Sequence, residues 1–356
     1  QQCRQHHRMA YSYNAGLHRF ALFTAACTLL LVVAGALVTS NDAGLAVPDW
    51  PLSYGSLMPP MVGGIFYEHG HRMVATLVGM LTIVLAIWIQ RSEPRRCMRR
   101  LGWAALAAVI AQGVLGGLTV LFFLPPPISI AHAALAQLFF CTTVGIAVFT
   151  SRWWMSDVAA AFRSPLPLDR TNNGDLSSRE FPRDKVAATR GRQVEQRRSA
   201  HSDAVRDFAI ATAAVVFTQL VLGAAFRHHV LGILPHILWA VVVLVFSVTL
   251  SRKVRRHFAE VTALRRPAKM LAVLVGTQIL LGTAAYLSRV VTADAPQPMP
   301  WMVGFTVAHV AVGALTLAAA VVAALCCFRV LPPAARAARE READGSAPSV
   351  LRESAS

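Results

Sequence analysis

Apolar residues in this chain run in long stretches separated by short polar or basic segments, and the pattern repeats from near one end to near the other. A helix needs ~20 mostly apolar residues to cross the hydrocarbon core of a bilayer. Eight stretches meet that length, at roughly 18–39, 72–90, 101–123, 131–150, 207–226, 234–250, 269–287 and 302–327. The pattern therefore predicts an all-α integral membrane protein with eight transmembrane helices. A segment from about Ser164 to Ser202, rich in Arg, Asp, Ser, Asn and Pro, interrupts it and reads as a solvated linker. The predicted organisation is a cytoplasmic N-terminal segment (1–17), a four-helix bundle (18–150), a basic cytoplasmic linker (151–206), a second four-helix bundle (207–327) and a cytoplasmic tail (328–356).

Composition agrees, because 55% hydrophobic and only 15% charged residues exclude an ordinary soluble domain. Charge adds orientation. Of the 34 Lys and Arg residues only Arg72, Arg227 and Arg289 fall on one side of the predicted spans. The positive-inside rule places both termini in the cytoplasm. The net charge of +16 is thus mostly topology. A nucleic-acid interface is not expected, since the basic residues border spans and form no single face with interleaved aromatics; attraction to anionic lipid needs no special site. The first span is long enough to stay as an anchor, and no cleavable signal peptide is expected.

The two halves resemble each other. Gln112–Gly116 reads QGVLG and Gln278–Gly282 reads QILLG, each followed by an outer loop and a span carrying Ala-His, at Ala131-His132 and Ala308-His309; Gln219–Gly223 adds QLVLG. With an even number of spans in each half, the duplication predicts a parallel repeat, a pseudo-two-fold about the membrane normal. Packing is the expected role of the small residues. His71, His132, His236 and His309 then fall at repeat-equivalent places on the outer side of even-numbered spans. A lone imidazole in an apolar helix usually packs and hydrogen-bonds, but polar residues repeated inside a bilayer are costly and functional. Two imidazoles from facing helices supply both axial positions of a haem iron. Zinc fits less well, for neither pair has a third and fourth ligand nearby.

Only the first half carries a carboxylate beside its pair. Glu68 precedes His71 by three residues, where Ile233 precedes His236. Glu68 reads either as an interfacial partner of Arg72 or as a proton acceptor beside a reactive haem. Arg72 and Arg227 read as contacts for haem propionates or as snorkelling side chains. Asp49 and Trp50, between Pro48 and Pro51, read as an interfacial anchor or as a lid over the first site. His228 and His229 stand close enough in sequence to compete with His236.

The outer-loop run Asn41–Pro51 (NDAGLAVPDWP), the run Glu68–Arg72 (EHGHR), His132 with Gln137, and His236 and His309 together resemble the haem A synthase (CtaA/Cox15) family. The resemblance implies an oxidoreductase that converts the C8 methyl of haem O to a formyl group by successive hydroxylations, through a geminal diol and with oxygen from water, giving haem A for terminal oxidases. It implies substrate-haem ligands His71 and His132, a catalytic Glu68, and haem b iron held by His236 and His309. Implied partners are the bilayer, haem O, haem O synthase and cytochrome oxidase assembly, in a bacterial cytoplasmic membrane; a homo-oligomer is allowed, and the electron partner stays open. One departure is plain. Where many family members carry a cysteine pair in the first outer loop, this chain has Val47 and Ser53, and its cysteines (Cys3, Cys27, Cys97, Cys141, Cys326, Cys327) all fall in spans or on the cytoplasmic side. An outer-face disulfide is therefore not expected. Two rival readings are a di-haem b-type quinol-linked electron carrier, for which Glu68 is incidental, and a transporter, which the repeat favours but the scarcity of embedded acidic residues does not.

Overall fold

The computed structural model describes residues 13–156, 183–296 and 298–331, without the side chains of 183–200. Most of the N-terminal segment with Cys3, the middle of the linker and the tail from 332 lie outside the described residues. The elements are α1 (Ala15–Ser40), α2 (Gly63–Ser92), α3 (Arg96–Leu121), α4 (Pro126–Thr150), the single turn α5 (Arg152–Met155), α6 (Arg183–Arg227), α7 (Ile233–His257), α8 (Thr262–Val291) and α9 (Pro300–Val330). Eight of them are long and apolar enough to cross a membrane, α6 through its part His201–Arg227. All eight predicted spans are present.

Local chemistry sets the ends. Asn14 caps α1, its side chain accepting from the Leu17 N–H at 3.0 Å. Proline opens α4 and α9, where a missing N–H leaves nothing unpaired. Two boundaries differ from the hydropathy pattern. α2 begins at Gly63, well before the expected start at 72, so His71 lies two turns inside the helix; the added turns are polar enough to escape an apolar window and are covered by the outer loop. α6 begins at Arg183, inside the stretch read as linker, whose residues from there on are mostly good helix formers with no proline.

Packing follows chain order. α1, α2, α3 and α4 close one ring of neighbours, α6, α7, α8 and α9 another, and the two rings meet where α9 lies against α1 and α4 and α6 lies against α4. That contact is tight because Phe140 of α4 packs among Ala314 and Ala318 of α9 with Leu29 and Val32 of α1. Near the start of α1, the His18 ring nitrogen sits 3.1 Å from the Ala147 carbonyl, tying α1 to α4.

A buried ion pair holds the α2–α3 turn. Arg95 donates to both oxygens of Glu93 at 2.8 Å and to the Phe149 carbonyl of α4 at 3.1 Å. Burial alone would push the Glu93 carboxyl up, but the Arg95 hydrogen bonds and charge outweigh it and hold the group below its ordinary value. Arg95→Met, which leaves that carboxylate buried and unpaired, is expected to cost about 3 kcal/mol. Its melting temperature in detergent should fall below that of the Glu93→Gln/Arg95→Met double variant. Because the carboxyl is depressed in the folded chain, the pair's contribution is present above the ordinary carboxylate range and fades as pH falls through the lowered value.

Candidate functional site

Four helical hairpins, α1–α2, α3–α4, α6–α7 and α8–α9, each bring a glycine on the rising helix against a histidine on the descending one. A β-carbon on Gly35 would lie 3.2 Å from Cε1 of His71, on Gly116 3.1 Å from His132, on Gly223 3.0 Å from His236 and on Gly282 2.8 Å from His309. At Gly282 a β-carbon would force a shift, and at the other three the ring would have to give by a few tenths of an ångström, so glycine is the residue that lets the ring lie this close. Three of these glycines close the QxxLG strings. Their role is packing, as expected, and the packing partner is the imidazole.

Glutamines of the same strings reach the histidines too. Gln112 donates its amide to the His132 carbonyl at 3.0 Å, Gln219 to His236 at 3.0 Å and Gln278 to His309 at 2.9 Å. Each amide nitrogen also lies 3.2–3.4 Å from a ring nitrogen of its histidine. These glutamines were missed as site residues, although their recurrence four positions before each glycine was the signal that could have found them.

The imidazoles fall two to a ring, His71 and His132 on α2 and α4 and His236 and His309 on α7 and α9. An imidazole nitrogen bonds a metal at about 2 Å, so two rings sharing one ion have centroids about 6 Å apart. His236 and His309 stand 6.3 Å apart with 74° between their planes. The Nδ1 atoms of His71, His132 and His309 are buried without a hydrogen-bond partner. Among the described residues no group of three or more His, Cys, Asp or Glu side chains could hold a metal ion. The arrangement fits an ion that brings its own equatorial ligands, as haem iron does, and does not fit tetrahedral zinc.

Glu68 is 3% exposed and has both oxygens engaged, accepting from the Val47 N–H at 2.8 Å and from Arg72 at 2.6 Å. Arg72 donates as well to the carbonyls of Asp49 (2.8 Å), Leu52 (2.7 Å) and Val47 (3.3 Å). Its guanidinium is thus turned to the outer loop. Asp49 closes that loop by accepting from the Gly55 and Tyr54 N–H groups, and those hydrogen bonds, Gly55 first, hold its carboxyl below the usual value. Ser53 is 2.8 Å from Nδ1 of His69. Val47 and Ser53 are therefore both built into the network, and Cys27, Cys97, Cys141, Cys326 and Cys327 are free thiols. Trp50 lies flat on α3, its ring 2.6 Å from where a Gly117 β-carbon would be.

Arg227 reaches out of the second ring to the Thr39 carbonyl and pairs with Asp42 at 3.7 Å. His228 beside it interacts with His132 of the first pair, and His229 is exposed in the turn at φ 57°.

A family model described as Cytochrome oxidase assembly protein (COX15-CtaA) matches residues 18–64 and 64–144, a stretch that holds Glu68, His71 and His132. The chain is 34% identical over 126 residues to a protein named Heme A synthase from Symbiobacterium thermophilum, covering 35% of this chain and 41% of that one. It is 35% identical over 135 residues to the Heme A synthase of Shouchella clausii (37% and 44%) and 31% identical over 147 residues to that of Methylobacterium sp. strain 4-46 (37% and 39%). The matches span about two fifths of the length of these relatives. The resemblance carried by the loop and the Glu68–Arg72 run is borne out over that part.

Gly117→Ala should unseat Trp50 and leave His132 in place, since Gly116 carries that contact. Limited proteolysis within residues 42–62 should speed up at least about threefold for a loss near 1 kcal/mol. Gly113→Ala on the same helix, where a β-carbon meets nothing within 4 Å, should leave the rate unchanged.

Proposed function

We propose that this chain is a haem A synthase of a bacterial cytoplasmic membrane, with both termini on the cytoplasmic side. The substrate, haem O, lies between His71 and His132, and its C8 methyl is oxidised to a formyl group for supply to terminal oxidases. His236 and His309 would hold a resident haem b, which supplies a site for electrons on their way to an acceptor. The observation that carries the reading is the buried Glu68 carboxylate beside His71, within the stretch similar to haem A synthases, with Ile233 in the corresponding place of the second half.

The chain's own groups account for the rest of the chemistry. With water as the oxygen source, each hydroxylation releases electrons and protons in equal number. Glu68 receives protons at its carboxylate oxygens, one of which is shared with Arg72 and the other with the Val47 N–H. Val47 and Ala43 are the buried residues of the loop itself and help keep bulk water from the reacting centre. Arg72 and Arg227 serve the outer loop and the junction between the rings, so propionate binding is not part of the proposal.

Extraction of haem from the purified chain, produced with haem O available and resolved by chromatography, tests this directly. Haem A or a hydroxylated precursor should accompany haem b; only haem b would leave a di-haem electron carrier. Glu68→Gln should keep haem b while haem A output falls at least about 100-fold. Full output from that variant would remove Glu68 from the mechanism. His309→Ala should instead deplete haem b, and an unchanged haem b content would refute the ligand assignment.

A further inference from the structure

The four glycine–histidine contacts are alike, but their supports are not. Residues four apart on a helix share a face. At that position before the glycine three hairpins carry Gln112, Gln219 and Gln278, each donating to the carbonyl of its own histidine. The first hairpin carries Leu31, a buried member of the apolar core. The residue one turn below each histidine is small in every hairpin, Ala75, Ala136, Ala240 and Gly313, so room for an amide exists in all four. In α8–α9 it is used closely, a β-carbon on Gly313 meeting the Gln278 amide at 3.1 Å. Among the described residues no amide fixes the carbonyl of His71 or stands at its ring, and of the four histidines it is the one placed by packing. It is also the histidine whose next residue, Arg72, gathers the carbonyls of the outer loop.

We infer that His71 is the releasable ligand of the first site, and that Leu31 in place of glutamine makes it so. This rests on the reading of the first site as the one that holds a substrate haem. A substrate must enter and its product leave, so one ligand has to let go; a resident cofactor keeps two fixed ligands. His132, held by Gln112, keeps the haem oriented while His71 comes and goes. The loop carried on Arg72 is coupled to that movement through the shared helix turn. Leu31 and the three glutamines are positioning residues, since each acts through a histidine.

Carbon monoxide is the probe, because it takes an axial position on ferrous haem only when the resident ligand gives it up. In the purified full-length protein, CO should bind the first-site haem and not the second. Leu31→Gln should slow CO binding there by about fivefold, the effect of one added hydrogen bond, and slow transfer of that haem to apomyoglobin by a similar factor. Gln278→Leu should make the second haem CO-reactive, with a matching change in its low-spin spectrum. Unchanged CO kinetics in both variants overturns the inference. If Leu31→Gln fails to hold haem, Gln278→Leu decides alone, since it tests the same support in a hairpin that does not turn over. Its outcome is independent of whether the chain makes haem A: a loosened second haem in a chain that produces none would uphold the amide support and sink the synthase reading instead.

Discussion

An imidazole can remain inside a bilayer only where a second helix comes close enough to enclose it, because hydrocarbon offers no partner of its own. Here a bare glycine face on the rising helix of each hairpin meets that condition. Everything around the sites follows from this closeness. The backbones approach over Gly35, Gly116, Gly223 and Gly282, the hairpins become stiff pairs, and two such pairs close each ring with a histidine on each. A side chain at any of these glycines would press on its histidine, most of all at Gly282, where something must shift.

Charge makes the second constraint, and it acts on the first ring alone. A carboxylate as buried as Glu68 must be compensated, and Arg72 compensates it one turn further on. The remaining donors of Arg72 then need acceptors, which the loop carbonyls of Val47, Asp49 and Leu52 supply. The loop is thus a consequence of the carboxylate as much as a cover for it. Between α6 and α7 only a short turn connects the helices, and no carboxylate stands before His236 to require more.

The spans and the recurring histidines were legible because each leaves a one-dimensional trace: apolar length, and polar letters recurring at fixed positions. Glu68 was legible through its absence from the other half. What escaped has a common physical cause. The early turns of α2 are polar on their own account and become helical against the loop, so hydropathy starts the span too late. The acceptors of Arg72 in the outer loop escaped because they are backbone carbonyls, which no side-chain pattern reveals. The QxxLG strings were visible, yet their glutamines were overlooked, since the group each one binds is a carbonyl on another helix. Helix propensity from Arg183 onward was masked by the solubility of the same residues.

The two rings are also less independent than a duplicated sequence implies. The helices that bear His132 and His309, α4 and α9, pack directly on each other through Phe140, Ala314 and Ala318. One ligand of each pair therefore stands on a helix in contact with the other ring. Arg227 crosses the same boundary at the outer surface to the end of α1, bringing His228 toward His132. A change at the second pair that shifts α9 must be felt by α4, and so by the ligand that stays fixed in the first. Small residues at this boundary let α4 and α9 approach closely, and under the proposed function that closeness would serve the passage of electrons from one site to the other.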